Sequence, residues 1–263
     1  MYAAYLATTH ALDTIRSMLA AVGWIHKINH LPDPTQAFSL KRVLIGIGKT
    51  TPSAPKQFHP VTYSLLLRIL AVLPQVTDSS FQLSLHTSIF TLAYFACLRV
   101  GEYAKSGDTK HCIIIENVLF HTREVPIKVQ ITLPTFKHSL GAETFMLTPS
   151  LSREACPVTA LRTYLCQRPL LPGPLFIHKN GSPVSRNAVS SLLRKSVQRL
   201  DLDPSQFSPH SFRIGRATDL ANDGVPEFHI KKTGRWHSDA YLKYLRFDVF
   251  HLPPPPGESL CVA

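Results

Sequence analysis

The chain has 263 residues, of which 44% are hydrophobic, so it can bury a sizeable core and is not a disordered polymer. Its 28 Lys and Arg outnumber its 17 Asp and Glu, and the formal net charge of +11 favours a polyanionic partner such as nucleic acid, although solubility alone would explain the same excess. The first residues lack the pattern of a secretory signal, and no apolar run approaches the roughly 18 residues that span a bilayer, so we expect a soluble protein that is not secreted.

The cysteines and histidines are not spaced as metal ligands. None of the five cysteines forms a Cys-x-x-Cys pair, which favours reduced thiols over a zinc site or a disulfide framework. Of the 13 histidines, only His26 and His30 are four residues apart, and no third ligand lies nearby. The sequence therefore predicts no metal site.

The first predicted elements are two amphipathic helices, over residues 11–30 and 39–47. A segment rich in small residues, Pro and Lys follows, and we interpret residues 49–60 as a linker. Residues 1–48 are therefore predicted to form a small helical N-terminal domain.

The remainder is predicted to be mainly α with a small antiparallel β-sheet, an α+β fold. Helical patterns recur in seven segments, at residues 61–73, 81–98, 157–167, 186–200, 210–221, 226–233 and 238–247. Three short β-rich runs lie after the second of these, at residues 112–120, 125–133 and 143–147. The final residues, 251–263, form a Pro-rich tail that we expect to be extended.

Two candidate site residues lie in the middle of the chain. Arg99 ends a strongly apolar helix, where a guanidinium is costly unless it meets an anion or a carboxylate, and Glu102 is three residues on and able to hold it. Lys137 follows a β-rich run beside a predicted hairpin turn, where its ammonium could protonate a leaving oxygen. An ordinary helix-end ion pair and a solvated turn lysine are the competing interpretations.

The last helices carry the other candidates. His210 and Arg213 share one helix face, and together they suit a phosphoryl group whose charge grows in the transition state. After a turn at Gly234, Trp236 can donate its indole N–H to a phosphate oxygen, and Tyr244 follows about two helical turns on. A phenol needs such a cation cluster to act as a nucleophile. A helix-start histidine beside a surface arginine, and a helix whose tyrosines simply pack, are the alternatives.

Taken in chain order, these residues resemble the tyrosine recombinases, the phage-integrase family. The phrases HSFRIGRAT and GRWHSDAYLKYLR are especially similar to versions in eukaryotic mobile elements of the DIRS and Crypton groups. The resemblance covers residues 60–247 and implies a tyrosine-recombinase catalytic domain over residues 61–250. Residues 1–48 resemble only the later helices of the family's core-binding domain, which clamps the opposite face of the DNA.

The resemblance implies a catalytic role for six residues, Arg99, Lys137, His210, Arg213, Trp236 and Tyr244. Tyr244 would attack the scissile phosphate and form a 3′-phosphotyrosyl intermediate, with the two arginines binding that phosphate and Lys137 acting as general acid for the leaving 5′ hydroxyl. Glu102 would orient Arg99 rather than react. Because the bond energy is kept in the covalent link, the resemblance implies no metal, no ATP and no other cofactor.

The resemblance also implies partners and a location. Double-stranded DNA would be the substrate, a homotetramer would assemble on paired sites, and a eukaryotic version would work in the nucleus. Six further basic residues are expected to contact DNA, namely Arg186, Arg194, Lys195, Arg199, Arg216 and Arg235. A solvated basic helix is the competing interpretation for those within residues 186–200. A decayed element protein that binds DNA without cutting it, and a type IB topoisomerase, are the alternative functions.

One spacing departs from the family pattern. Many members place the nucleophile nine residues after the Trp or His, whereas Tyr244 follows Trp236 by eight. On an α-helix one residue changes the direction of a side chain by about 100°. We therefore expect either a compensating turn or a different nucleophile, with Tyr241 the next candidate.

Overall fold

A computed structural model of the protein describes residues 2–50, 57–105, 107, 112–123, 127–134, 141–150 and 153–246. The chain divides into two compact units, Met1–Gln57 and Phe58–Ala263, which we describe separately. Within the described ranges, no helix is both long enough and apolar enough to cross a membrane.

The described residues of the first unit form three α-helices, α1 (Tyr2–Leu6), α2 (Leu12–Ile28) and α3 (Phe38–Thr50), with a 3₁₀ turn at Pro34–Gln36 before α3. Its small core is formed by four buried side chains, Ala3, Leu6, Ile15 and Leu19. The helix α3 continues through Thr50, past the predicted start of the linker, and residues 51–56 of that linker lie outside the described residues.

The second unit is built on two adjacent helices, α4 (Tyr63–Val76) and α5 (Ser80–Phe95). Both begin at a residue whose hydroxyl accepts a hydrogen bond from the first helical turn, Thr62 for α4 and Ser79 for α5. Most residues of α5 are buried, so this helix forms the centre of the core, in contact with α7 (Pro157–Leu165). This burial explains why its sequence is apolar on nearly every face.

A three-stranded antiparallel sheet covers one side of that core, in the order β1 (Val118–His121), β2 (Lys128–Leu133) and β3 (Glu143–Leu147). Alternate residues of β2 are buried, which is the period-two pattern of a strand with one face toward the core. The predicted mainly α fold with a small antiparallel sheet is therefore confirmed. The first strand is shorter than predicted, because Ile115–Asn117 form a turn of 3₁₀ helix.

The remaining elements hold the candidate site. They are the short helix α6 (Val100–Tyr103), then α8 (Arg186–Gln198), α9 (His210–Asn222), α10 (Glu227–Gly234) and a 3₁₀ helix over Asp239–Tyr244. The central helix of this group, α9, approaches the segment before α4 so closely that a Cβ on Gly215 would lie 1.7 Å from the carbonyl oxygen of Val61. Only glycine allows this contact.

Candidate active site

Arg99 lies at the start of α6, directly after the buried α5 segment, and Glu102 holds it as predicted. The main-chain N–H of Arg99 donates to Oε2 of Glu102 over 2.9 Å, and its Nη1 donates to Oε1 over 3.1 Å. The arginine side chain is 26% exposed, whereas that of Glu102 is 3% exposed. The carboxylate is thus enclosed, and the guanidinium that it orients keeps a face for a ligand.

A second arginine, Arg235, binds the same carboxylate. Its Nη2 lies 2.8 Å from Oε2 of Glu102, and both side chains are almost completely buried. This position corrects the expectation that Arg235 contacts DNA, because a guanidinium enclosed by the protein is not available to a phosphate. Sequence reasoning missed the pair because its members are 133 residues apart.

Arg213 is the centre of the site and is completely buried. Its guanidinium donates to the main-chain carbonyls of Cys97, which follows α5, and Gly234, which ends α10. The carbon at the centre of the guanidinium lies 4.1 Å from the centre of the Trp236 ring and 5.4 Å from that of Tyr244. Trp236 and Tyr244 therefore cover Arg213 in this arrangement.

The 3₁₀ helix directs the ring of Tyr244 into this cluster. The centre of the ring lies 5.0 Å from that of His210 and 5.0 Å from that of Trp236. An α-helix was predicted for this segment. Over the five steps from Asp239, 3₁₀ winding turns the chain about 100° further than α winding. This difference has the size that a compensating turn for the missing residue between Trp236 and Tyr244 requires.

Tyr241, the next candidate nucleophile, is directed elsewhere. Its ring is buried, lies 6.3 Å from that of Trp236, and has the ammonium of Lys231 5.4 Å from its centre. The environment of Tyr241 is therefore that of a packed side chain.

His210 lies in a strongly positive environment. Burial lowers the pKa of its imidazole to about 4, and nearby positive charges act in the same direction, in the order Arg213, Arg99, Arg186 and Arg246. The imidazole is consequently neutral at pH 7. Two of these arginines belong to the predicted phosphate ligands, and Arg186 was predicted to contact DNA. Arg246 was not predicted, although it follows Tyr244 by only two residues.

The Tyr244 segment is also attached to α9. The buried hydroxyl of Thr218 donates to the main-chain carbonyl of Tyr244 over 3.3 Å, and it accepts a hydrogen bond from the N–H of Arg246 over 3.2 Å. Thr218 was not predicted, because nothing local distinguishes it from other helical threonines.

The other predicted basic residues are more scattered. Arg194, Lys195 and Arg199 are exposed. Lys195 and Arg199 line a pocket with Asp78, and they lie about 13 and about 20 Å from Arg186 along the axis of α8. Arg216 is half-buried, with its guanidinium over the rings of two residues of α5, Tyr94 and Phe95, at 5.4 and 5.5 Å.

Two further expectations concern Lys137 and metal ligands. Lys137 lies outside the described residues, so its role stays a prediction. Among the residues that the structure describes, no three His, Cys, Asp or Glu side chains are grouped as a metal site.

The chain matches the model of the phage integrase family over residues 68–245. No curated protein matches it in sequence. Its fold is similar to that of XerH site-specific recombinase bound to a palindromic difH substrate, with a TM-score of 0.57 and 15% identity, covering 74% of this chain and 51% of that one. The chain therefore spans about half the length of that recombinase.

Two further solved structures are similar. The Tn1549 transposon integrase in complex with circular intermediate DNA gives a TM-score of 0.56 and 19% identity, covering 95% of this chain and 80% of that one. The XerA recombinase gives a TM-score of 0.54 and 16% identity, covering 94% and 76% respectively. At these identities the similarity establishes the fold alone.

Proposed function

Because the chain belongs to the phage integrase family, we propose that it breaks and rejoins DNA strands as a tyrosine recombinase. The observation that carries the proposal is that the side chains of Tyr244, Trp236 and His210 converge around the buried guanidinium of Arg213. The ring of Tyr244 lies 5.0 Å from that of His210 and 5.4 Å from the guanidinium carbon of Arg213. A phenol that attacks a phosphodiester needs a group that takes its proton and a cation that stabilises the growing charge, and these neighbours are of those types.

The proposed reaction exchanges one phosphate ester for another. The phenolic oxygen of Tyr244 attacks phosphorus, and the bond to the 5′ oxygen breaks as the new O–P bond forms. The phenolic proton passes to His210, which is neutral at pH 7 because its pKa is about 4 in the DNA-free protein. The leaving oxygen takes a proton from Lys137 and departs as a 5′ hydroxyl. Attack by that hydroxyl, or by one from a second DNA end, reverses the step.

The two arginines stabilise the charge that grows on the phosphate. Arg99 has an exposed face, so a phosphate can reach it directly. Arg213 is covered by the rings of Trp236 and Tyr244, so a phosphate reaches it only when the Tyr244 ring moves. We therefore expect the 3₁₀ helix to shift when DNA binds, and Tyr244 to move from the face of Arg213 to the side of the phosphate. The ester exchange itself conserves bond energy, so it consumes no ATP, and in this proposal the two arginines provide the charge stabilisation that a metal ion provides in other phosphoryl-transfer enzymes.

The proposed substrate is double-stranded DNA. The net charge of +11 and the positive charges around His210 favour a polyanion, and Arg186 adjoins the site at the exposed start of α8. We assign the first unit to clamping DNA as a partial core-binding domain, and we propose a homotetramer on paired sites. The similarity of residues 208–246 to eukaryotic mobile elements supports a mobile-element recombinase that acts in the nucleus.

The covalent intermediate tests the proposal. A pool of DNA duplexes drawn from the sequences that flank genomic copies of the gene, each nicked near the cleavage point, is incubated with the protein in EDTA. We expect a protein–DNA adduct that survives denaturation and is abolished by Tyr244→Phe. Tyr241→Phe is the matched control, and it should leave the adduct in place because the Tyr241 ring packs beside Lys231 of α10.

Two other outcomes would contradict parts of the proposal. An adduct that persists in Tyr244→Phe and disappears in Tyr241→Phe would transfer the nucleophile to Tyr241. Salt-sensitive DNA binding without any adduct, on a pool that contains a functional site, would indicate a DNA-binding protein that has lost its chemistry.

A further inference from the structure

Arg235 has a backbone conformation that is unusual for its residue type. It follows α10 in the left-handed region, with φ 56° and ψ 48°, and the N–H of Trp236 donates to the carbonyl of Lys231 over 2.9 Å. This is the Schellman arrangement that ends many helices, in which glycine is the usual residue because it has no Cβ to clash. An arginine at this position therefore needs an explanation from its side chain.

The side chain joins two parts of the site. Beyond the 2.8 Å contact with Glu102, its Nη1 donates to the carbonyl of Ala96 over 3.1 Å and its Nη2 to that of Cys97 over 3.3 Å. The turn that presents Trp236 is thereby attached to the segment that leads into Arg99. Because the side chain is 2% exposed, none of these contacts is a DNA contact.

The charges of this cluster explain what Arg235 contributes. Glu102 accepts hydrogen bonds from Arg99 and Arg235, so one buried carboxylate is shared by two guanidinium groups and the cluster keeps a net positive charge. Without Arg235, Arg99 and Glu102 would form a neutral pair. Arg99 would then be drawn toward an underpaired buried carboxylate and would attract a phosphate less strongly.

We infer that Arg235 is a positioning residue, which holds Glu102 so that Arg99 stays directed at the DNA phosphate, and which fixes the Trp236 turn at the same time. The inference rests on the proposed function for the role of Arg99. It assigns Arg235 to the support of the site rather than to DNA contact.

A double-mutant cycle on DNA affinity tests this inference without requiring cleavage. The variants Arg99→Ala, Arg235→Gly and the double variant are compared by fluorescence anisotropy in a Tyr244→Phe background, in EDTA. Glycine suits the left-handed backbone, so Arg235→Gly removes the guanidinium and keeps the turn. We expect Arg99→Ala to weaken binding severalfold and to lower the salt slope by about one. Arg235→Gly should have a similar effect, and the double variant should bind no more weakly than Arg99→Ala alone.

The matched control is Arg168→Ala. Arg168 is also buried and donates to four main-chain carbonyls, but those carbonyls belong to residues between Pro169 and Leu175. Its loss should lower the thermal stability and leave the DNA affinity of the folded protein within about twofold, since these hydrogen bonds reach none of the described residues of the site. Guanidinium ion added at constant ionic strength should restore part of the DNA affinity of the Arg235→Gly variant, and it should not restore the affinity of the other variants.

The rate of DNA cleavage provides a second, independent test of the role of Arg235. In proteins that keep Tyr244, Arg235→Gly should slow adduct formation by about tenfold to a hundredfold, the scale on which a small misplacement of a catalytic group acts. Absence of the adduct in the unmodified protein would overturn the proposed function, and the affinity cycle would still decide the role of Arg235. Wild-type affinity in Arg235→Gly, or additive losses in the cycle, would overturn the inference.

Discussion

The side-chain hydroxyl of Thr218 on α9 donates a hydrogen bond to the main-chain carbonyl of Tyr244 over 3.3 Å. The same hydroxyl accepts from the N–H of Arg246 over 3.2 Å, so one buried oxygen holds both ends of the turn that follows the proposed nucleophile. Arg213 lies five residues earlier on the same helix. The helix that carries Arg213, the proposed phosphate ligand, thus also determines where Tyr244 is held.

Loss of this hydroxyl should misplace Tyr244. Thr218→Val keeps the shape of the side chain and leaves the carbonyl of Tyr244 and the N–H of Arg246 without their partner. We expect about 1 kcal/mol lower stability and adduct formation slowed about tenfold, at unchanged DNA affinity. Thr218→Ser retains the hydroxyl and should restore most of the rate. Equal rates for the valine and serine variants would exclude a role for the hydrogen bonds.

Trp236 should report the movement of Tyr244 on DNA binding. The chain has two tryptophans, Trp24 and Trp236, so Trp24→Phe leaves a single reporter at the site. Because the Tyr244 ring and the Arg213 guanidinium both contact Trp236, we expect its emission to change as DNA saturates the protein. The additional change Tyr244→Leu should remove most of this response. An emission that stays constant while anisotropy shows full binding would mean that the cover over Arg213 does not move.

Acid should destabilise the second unit through His86. Burial in α5 lowers the pKa of this imidazole to about 4, and the charge of His178 acts in the same direction. The unfolded chain has a pKa of about 6.5, so between these values the unfolded state binds more protons and the free energy of unfolding falls as the pH falls. At pH 5 the loss is roughly 2 kcal/mol.

His86→Gln removes that titration, and urea unfolding at pH 7 and pH 5 measures the change. The variant should lose less free energy of unfolding between the two pH values than the unmodified protein does. Part of the dependence should remain, because the pKa of His210 is lowered in the same sense. An unchanged difference between the two pH values would show that His86 does not titrate in this range.

A partly buried tyrosine–aspartate pair should stabilise the second unit away from the proposed active site. The hydroxyl of Tyr94 donates to Oδ2 of Asp219 over 2.5 Å, and the N–H of Tyr63 donates to the same oxygen over 2.6 Å. Tyr94→Phe removes one donor from this partly buried carboxylate and should cost about 1–3 kcal/mol. The matched control is Tyr103→Phe, because the buried hydroxyl of Tyr103 has no hydrogen-bond partner among the described residues. Thermal unfolding of both variants gives the comparison, and equal losses would contradict the assignment.

Some features of the protein follow from short stretches of sequence. Thr62 and Ser79 are good N-cap residues, and the helices that they begin were predicted from the helical patterns of residues 61–73 and 81–98. The β-rich run over residues 125–133 predicted a strand, and β2 lies within that run, with alternate residues buried. Arg99 and Glu102 are three residues apart, so their pairing depends on local geometry and could be predicted.

Other features depend on contacts between residues that are far apart in the chain. The last helix was predicted as α, but Tyr241 and Tyr244 both pack on Trp236, and a spacing of three residues matches the 3₁₀ period. The basic pattern could not show that Arg235 is buried, because its partner Glu102 precedes it by 133 residues.

The sequence by itself therefore determined the fold class and the chemical types that the site contains, since both depend on periodicity and on the order of a few reactive side chains. Only the tertiary structure decided which of these groups meet, which are buried and which tyrosine lies against Arg213. The physical reason is that burial, charge and ring contacts act through space. A guanidinium has the same sequence signature whether it meets a phosphate or a carboxylate, and its neighbours in the folded chain make the difference.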